Sequence, residues 1–273
     1  MAQEPQQFVS LSYGRVHYRA AGPSDGPVVV LIHGFSFASW CFNFLGPLLE
    51  DAGYRVFAPD LYGRGFSDRP DVRHDRGLYN QMLAEFLDAV GVEEPAVLVG
   101  NSMGGAIVAD FAAHYPGQVR ALVLVVTAGL RLSRPMSLGW LGVPVIGDLI
   151  WRWIGPDIAV SSSPDPVVRE MANAAVKQQA EIPGYYAALL STLRNFPLDG
   201  MGESFEALSI QGTPVHALFS AKDALIPVES AEVLSALIPR ATVEVVDDAS
   251  HDLVLEQPER VAAAVAKLIS PDR

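Results

Sequence analysis

Cysteine and lysine are scarce in this 273-residue sequence, and each scarcity limits what the protein can be. The single cysteine, Cys41, excludes an intramolecular disulfide and any metal site built from several thiolates. Only three lysines occur, so most of the positive charge is arginine, which is scattered along the chain. The formal net charge is −12. Such an acidic surface argues against nucleic acid as a partner and gives no attraction to anionic membranes.

Targeting patterns and long hydrophobic runs are also missing. The first seven residues lack the basic start and apolar centre of a secretory signal. The most apolar later segment, residues 138–154, is interrupted by Pro144 and Asp148 and is too short to span a bilayer. We therefore expect a cytoplasmic protein with no transmembrane segment, and we leave its oligomeric state open.

Short apolar runs alternate with helical patterns over most of the chain, half of which is apolar. The runs predict strands, the first two forming an edge hairpin, at residues 8–12, 15–21, 27–32, 54–58, 96–99, 119–126, 215–219 and 242–246. Helices are predicted at residues 39–51, 75–90, 227–237 and 258–269. This alternation predicts an α/β fold, with a mostly parallel sheet covered by helices on both faces.

The alternation stops between residues 128 and 208. This segment contains helical patterns, no convincing strand, seven prolines and the tryptophans Trp140, Trp151 and Trp153. Ligands bind at the carboxyl edge of sheets of this kind, so we expect a helical cap over that edge. The predicted organisation is a core of residues 1–127 and 209–273, interrupted by a cap of residues 128–208.

A serine between two glycines lies where a buried strand gives way to a helical pattern. The sequence Gly100-x-Ser102-x-Gly104 has the form of a nucleophile elbow, a tight turn that lifts a serine hydroxyl clear of the sheet. Glycines let the chain pass close to a strained serine backbone. We predict that Ser102 is a nucleophile; the alternative is an ordinary turn with a solvated serine.

A nucleophilic serine needs a base that takes its proton. His251 is the only histidine after Ser102 that lies in a loop following a predicted strand, so we predict that it is the base. Four other histidines are not expected to act as the base. We expect His114 and His216 to pack in the core or lie at the surface, and we expect His17 and His74 to be solvated.

The base in turn needs an acid that holds its correct tautomer. Asp223 lies just after the strand that ends at Phe219, and we predict that it is this acid. Asp247, Asp248 and Asp252 are closer to His251 in sequence, but loop carboxylates of this kind are expected to be solvated. The alternative position, after the strand that ends at Val126, contains no carboxylate.

An oxyanion formed on the substrate would need N–H donors. His33-Gly34-Phe35 follows a central predicted strand, where such folds supply one donor. We predict that the donors are the backbone N–H groups of Phe35 and of Met103, the residue after the nucleophile. His33 is expected to brace the loop without moving a proton.

These residues, in this order, resemble the α/β-hydrolase superfamily over nearly the whole chain. The matching motifs are His33-Gly34, the loop from Asp60 through Gly63-x-Gly65-x-Ser67-Asp68, the elbow, Asp223, and His251 followed by Glu256-x-Pro258. The resemblance implies an eight-stranded sheet, a helical cap and a triad of Ser102, Asp223 and His251. It also implies that the protein needs neither a metal nor an organic cofactor.

The motifs resemble more than one subfamily of these hydrolases. Ser102 argues against haloalkane dehalogenases and epoxide hydrolases, which have aspartate at this position. The apolar cap resembles those of monoacylglycerol lipases and small carboxylesterases, although the lipases commonly have histidine at the position of Asn101. Residues 100–105 resemble the elbow of the meta-cleavage-product hydrolases, which cut carbon–carbon bonds. Those enzymes usually have tryptophan directly after the catalytic histidine, where this chain has Asp252.

We therefore expect a serine esterase that acts on a small-molecule ester, small or lipid-like and apolar, through an acyl-enzyme on Ser102. A carbon–carbon bond hydrolase is the first alternative, because both reactions can use the same triad. A ligand receptor that keeps the fold but turns over little is the second.

Overall fold

The computed structural model describes residues 7–133, 141, 143, 145–161 and 163–269. Within these residues eight strands form one sheet: β1 (Gln7–Leu11), β2 (Gly14–Ala21), β3 (Val28–Ile32), β4 (Arg55–Pro59), β5 (Ala96–Asn101), β6 (Val119–Val125), β7 (Val215–Ser220) and β8 (Thr242–Val246). Trp140, Pro135 and Pro144, which entered the prediction of the cap, lie outside the described residues.

The order of the strands in the sheet is β1-β2-β4-β3-β5-β6-β7-β8. β1 and β2 form the predicted edge hairpin, and β2 pairs antiparallel with β4. The remaining strands pair in parallel. Every residue of β5 and β7 is buried, as the continuous apolar runs of a sheet covered on both faces require. The predicted fold class is confirmed.

The described residues include helices on both faces of the sheet and between β6 and β7. They are α1 (Leu45–Asp51), α2 (Arg76–Ala89), α3 (Met103–His114), α4 (Ile146–Ile158), α5 (Pro166–Ala180), α6 (Tyr185–Asn195), α7 (Gly202–Gln211), α8 (Ser230–Leu237), α9 (Leu253–Glu256) and α10 (Pro258–Ile269). Asp75 caps α2 by accepting a hydrogen bond from the N–H of Leu78.

The helix predicted at residues 39–51 is divided in the structure. Residues Ser39–Phe42 form a 3-10 turn, and α1 begins only at Leu45. Pro47 explains this division, because it has no N–H to donate to a carbonyl one turn earlier. In the observed helix Pro47 lies in the first turn, where N–H groups have no partner within the helix.

Alternate residues of the central strands pack into two separate cores. Val30 and Ile32 of β3 face the core that contains α2, α3, α7 and α8. Val29 and Leu31 face the other core, which contains α1 and α10. This second core continues into α4, α5 and α6, so these three helices pack on the body of the protein through apolar side chains.

The helices between β6 and β7 form two groups that pack against different parts of the protein. α4 and α5 both pack against α6, whereas α7 packs against α3 of the core and extends across residue 208. Trp151 is buried, and its Nε1–H donates to the carbonyl of Tyr186 at 2.7 Å. Trp153, two residues later, is 84 % exposed. Among the described helices, none combines the length and the hydropathy needed to cross a bilayer.

The space around Gly104 shows how tightly α3 packs against β3 at the elbow. A Cβ at this position would lie 2.1 Å from the carbonyl oxygen of Ile32 and 2.7 Å from that of His33. Gly104→Ala must therefore push α3 away from β3, and we expect unfolding free energy to fall by about 3 kcal/mol or more. Denaturant unfolding measures this loss.

The matched control is Gly117→Ala, since a Cβ there meets nothing within 4 Å. We expect this variant to stay within about 1 kcal/mol of the parent protein. Equal stability of the two variants would show that the contact between β3 and α3 does not require glycine.

Candidate active site

Ser102 is held in an unusual backbone conformation between β5 and α3. Its φ of 55° and ψ of −119° lie in a region that residues with a side chain rarely adopt. The surrounding glycines make this turn possible. A Cβ at Gly100 would lie 2.4 Å from the carbonyl oxygen of Gly104, and one at Gly105 would lie 2.3 Å from Oγ1 of Thr127. The strand and the helix are therefore packed too closely for larger residues.

The structure brings together the three side chains that the sequence predicts as a triad. His251 Nε2 lies 2.9 Å from Ser102 Oγ, and His251 Nδ1 lies 2.7 Å from Asp223 Oδ2. An ionised carboxylate only accepts hydrogen bonds, so Nδ1 carries the proton and Nε2 is free to accept. In this tautomer Nε2 is placed to take the proton of Ser102.

The carboxylate of Asp223 is itself held in position by the backbone. Its Oδ1 accepts hydrogen bonds from the N–H groups of Leu225 and Ile226 at 2.7 and 2.9 Å. The side chain is 1 % exposed. Because one oxygen is fixed by the backbone, the other points at the imidazole ring of His251.

Several charges act on the imidazole of His251. Burial, the largest influence, lowers its pKa, whereas the carboxylates of Asp223, Asp252 and Glu256 raise it, and the net shift is upward from 6.5. The three carboxylates thus favour the imidazolium, which is the form that His251 would take if it acted as the predicted base.

The loop after β3 carries the predicted oxyanion donor at Phe35. His33 Nε2 accepts a hydrogen bond from the N–H of Leu61 at 2.9 Å, so the ring proton sits on Nδ1, which donates to the carbonyl of Gly34 at 2.8 Å. Burial lowers the pKa of His33 to about 4, which keeps the ring neutral. His33 therefore braces the loop.

The contact made by His33 also orients the predicted donor. The carbonyl of Gly34 and the N–H of Phe35 belong to one planar peptide, whose two polar groups point in opposite directions. Fixing the carbonyl toward His33 therefore fixes the direction of the Phe35 N–H. Met103 is the first residue of α3, where an N–H has no partner within the helix.

Arg64 and residues of α5 and α6 hold the next carbonyls of the same loop. Arg64 Nε donates to the carbonyl of Phe35 at 2.9 Å, and its guanidinium lies 5.5 Å from the centre of the Phe35 ring. The carbonyl of Ser36 accepts hydrogen bonds from Oη of Tyr185 at 2.7 Å and from Nε2 of Gln179 at 3.3 Å. These contacts connect the loop directly to α5 and α6.

Two expectations about histidines are wrong. His17 and His74 are buried rather than solvated. His17 lies on β2, and its Nδ1 is 2.7 Å from Oδ2 of Asp60, which is also buried. The protein buries this pair because Asp60 also accepts hydrogen bonds from the N–H groups of Ser39 and Phe66.

Asp252 is a third correction, since it is 3 % exposed rather than solvated. Its Oδ2 accepts a hydrogen bond from Oγ of Ser161 at 2.6 Å, which explains how a carboxylate is accommodated there. Asp248 does behave as expected, with a side chain that is 86 % exposed and 2.9 Å from Nζ of Lys222. No local signal in the sequence distinguishes these two aspartates.

A family model described as the alpha/beta hydrolase fold matches residues 27–258. The chain belongs to this family. Strands β3 to β8, the elbow and the loops that carry Ser102, Asp223 and His251 lie within the matched region.

Relatives in the α/β-hydrolase family include enzymes of two kinds. Carboxylesterase YbfK of Bacillus subtilis (strain 168) is 27 % identical over 270 residues, covering 96 % of this chain and 86 % of the relative. The 2-hydroxymuconate semialdehyde hydrolase of Pseudomonas sp. (strain CF600) is 30 % identical over 258 residues, covering 89 % of this chain and 86 % of the relative. Both relatives are hydrolases, and we assign this protein to the same broad class.

A solved structure supports the fold. The thermophilic esterase from Thermogutta terrifontis matches with a TM-score of 0.80 at 24 % identity, covering 98 % of this chain and 99 % of that one. At this identity the similarity establishes the shared architecture of the α/β-hydrolase, while the choice of bond that is cleaved depends on the site.

The backbone strain at Ser102 has a measurable consequence for stability. Ser102→Gly relieves a conformation that costs about 1–3 kcal/mol for residues with a side chain, and this gain exceeds the entropic cost of glycine, about 0.5–1 kcal/mol. We expect Ser102→Gly to be more stable than Ser102→Ala by about 1 kcal/mol in denaturant unfolding.

Ser209 provides the matched control, because it lies in the last turn of α7, where φ is negative. There we expect glycine to be less stable than alanine by about 1 kcal/mol. The same order of stability at both positions would contradict a strained elbow.

Proposed function

We propose that the protein is a serine hydrolase that cleaves carboxylic esters through an acyl-enzyme on Ser102. The observation that carries this proposal is the continuous chain of hydrogen bonds from Ser102 Oγ through His251 to Asp223. A serine hydroxyl becomes a useful nucleophile only when such a base is within hydrogen-bonding distance.

In the first half of the proposed reaction, Ser102 Oγ attacks the ester carbonyl while Nε2 of His251 takes the hydroxyl proton. The carbonyl oxygen becomes an oxyanion, to which the N–H groups of Phe35 and Met103 donate. The tetrahedral intermediate collapses, the bond to the alcohol oxygen breaks, and His251 returns the proton to the leaving alcohol. The acyl group remains on Ser102.

The second half repeats these steps with water. His251 takes a proton from a water molecule, which attacks the acyl carbonyl of the acyl-enzyme. Collapse of the second tetrahedral intermediate releases the carboxylic acid and returns the proton to Ser102. Asp223 stabilises the imidazolium twice in this cycle without accepting a proton itself.

The charges around His251 favour an uncharged substrate. Asp223 contacts the ring, the charges of Asp252 and Glu256 also act on it, and within the described residues neither Asp252 nor Glu256 forms an ion pair with lysine or arginine. An anionic substrate group near the ring would be repelled by these carboxylates. We therefore propose small or apolar esters as the substrate class.

We also propose that residues 128–208 include a cap that covers the site. Its helices α4, α5 and α6 pack together, and Tyr185 and Gln179 contact the loop that carries the proposed oxyanion donor. The buried Trp151 joins α4 to α6, which supports a structural role for that tryptophan.

Carbon–carbon bond hydrolysis is the second candidate. The 2-hydroxymuconate semialdehyde hydrolase relative and the elbow residue Asn101 favour it. Within the described residues, Oδ1 of Asn101 is buried and has no hydrogen-bond partner, so this atom does not brace the elbow. The cluster of carboxylates near His251 opposes this candidate, because its substrates carry a negative charge.

The first test removes the proposed nucleophile and the proposed acid separately. Ser102→Ala should lower the hydrolysis of p-nitrophenyl butyrate by about three or more orders of magnitude, and it should abolish labelling by a fluorophosphonate. Asp223→Asn should lower turnover by about two or more orders, because the amide favours the wrong imidazole tautomer.

Asp248→Asn is the control for the second variant, since Asp248 is an exposed carboxylate in the loop before His251. It should keep nearly full activity. Substantial turnover by Ser102→Ala, or a larger loss in Asp248→Asn than in Asp223→Asn, would reject the assigned roles. A parent protein that binds esters without hydrolysing them would indicate a receptor.

A comparison of substrates decides between the two reactions. We expect kcat/KM for p-nitrophenyl butyrate to exceed that for a 2-hydroxy-6-oxo-dienoate by about tenfold or more, because the carboxylates near His251 oppose the dienoate charge. Both values should be measured with one preparation in the same buffer. A dienoate value that is tenfold higher would replace the ester proposal with the second candidate.

A further inference from the structure

Two carboxylates on the carboxyl-terminal side of His251 are hydrogen-bonded to serines from the segment between α4 and α5. Oδ2 of Asp252 accepts from Oγ of Ser161 at 2.6 Å, and Oε1 of Glu256 accepts from Oγ of Ser163. The residues joined by the first contact are 91 positions apart in sequence. The loop that contains the proposed base is thus attached directly to the cap.

The cap serines are themselves anchored to α5. The N–H of Ser161 donates to Oδ1 of Asn173 at 2.8 Å, and Nη1 of Arg169 donates to the carbonyl of Ser163 at 2.6 Å. Because Asn173 and Arg169 both lie on α5, a displacement of this helix would move both serines, and with them the groups that hold the two carboxylates.

The other side of the contact is equally fixed to His251. The N–H and Oγ of Ser250 both donate to Glu256 at 2.7 Å, and the carbonyl of Asp252 accepts from the N–H groups of Leu255 and Glu256. The residues directly before and after His251 are therefore held in one hydrogen-bonded turn. A change at Asp252 reaches the imidazole through a single peptide bond.

Asp252 is buried, and within the described residues neither lysine nor arginine forms an ion pair with it. Burial raises the pKa of Asp252, while the hydrogen bond from Ser161 and the charge of His251 oppose that rise. The other titratable groups that face it are Asp223, Glu256 and the thiol of Cys41. Arg169 approaches the same network only through the carbonyl of Ser163.

We propose that Asp252 is a positioning residue for His251 and that Ser161 of the cap holds its carboxylate in place, which couples the cap to the catalytic base. This inference rests on the proposed function of His251. Asp223 orients the ring through Nδ1, whereas Asp252 acts through the adjoining backbone and through its charge. Both carboxylates stabilise the imidazolium that forms when Ser102 loses its proton.

If Asp252 has this role, removal of its charge should change both the pH dependence and the maximal rate of the reaction. Asp252→Asn should lower the pKa of His251, so the reaction rate should begin to rise at a lower pH. The maximal rate should nevertheless fall, because the imidazolium loses one of its stabilising charges. A merely structural defect would reduce the rate at every pH and leave the midpoint unchanged.

The experiment measures the rate at which a fluorophosphonate inactivates the protein between pH 5 and about 9. In this single step a bond forms between Ser102 Oγ and phosphorus, fluoride leaves, and His251 takes the proton. For Asp252→Asn we expect the midpoint to fall by about half a pH unit or more and the plateau rate to fall by about tenfold.

The matched controls are Asp248→Asn, an exposed carboxylate, and Ser191→Ala, a cap serine whose hydroxyl bonds the carbonyl of Val72. Both should keep the midpoint of the parent protein. Ser161→Ala should shift the midpoint, because Asp252 then loses the donor that holds it. Thermal unfolding of Asp252→Asn shows whether that variant folds. If it does not, Ser161→Ala provides the test.

The outcomes distinguish a failure of the proposed coupling from a failure of the proposed function. Midpoints for Asp252→Asn and Ser161→Ala that match those of their controls would overturn the coupling and leave the proposed hydrolase intact. Failure of the fluorophosphonate to label Ser102 in the parent protein would instead overturn the proposed function.

Discussion

The left-handed backbone of Ser102 is the constraint on which the geometry of the site depends. A sharp turn at this residue requires β5 and α3 to approach each other closely, and the space left at Gly100, Gly104 and Gly105 admits only hydrogen atoms. The same turn projects the serine hydroxyl from the sheet and places the first N–H groups of α3 beside it. Strain, close packing and exposure of the proposed nucleophile are therefore consequences of one turn.

Parallel strand order brings the other groups to this turn. β3, β5, β6, β7 and β8 are adjacent in the sheet and run in the same direction, so their carboxyl ends lie along one edge. The loops that follow β3, β5, β7 and β8 contain Phe35, Ser102, Asp223 and His251, respectively. Ser102 and His251, which are 149 positions apart, therefore meet at this edge of the sheet. The core thus assembles the site, and the helices between β6 and β7 add contacts to two of these loops.

Local patterns in the sequence were sufficient for the strands and the elbow, because neighbouring residues determine both. They failed where a polar group is buried by a distant partner. His17 and Asp60 are 43 positions apart, and Asp252 and Ser161 are 91 apart. A sequence pattern that identifies a loop carboxylate does not contain the donor that makes its burial tolerable. The split of the helix at residues 39–51 was readable from Pro47, whose missing N–H limits where α1 can begin.

Two histidines, His251 and His33, link the stability of the fold to the protonation states that the proposed chemistry needs. The pKa of His251 is raised above 6.5, so its contribution to stability is present at low pH and is lost as pH rises through the folded pKa. His33 has the opposite sign. Its pKa of about 4 means that its contribution, about 3 kcal/mol, is present above pH 6.5 and is lost as pH falls toward 4. His251, the proposed base, therefore stabilises the fold less in its active, neutral form than as the imidazolium. His33, in contrast, must be neutral both to accept the hydrogen bond from the N–H of Leu61 and to orient the Phe35 peptide. Protonation of His33 in acid would therefore weaken both the fold and the loop that carries Phe35, the proposed oxyanion donor.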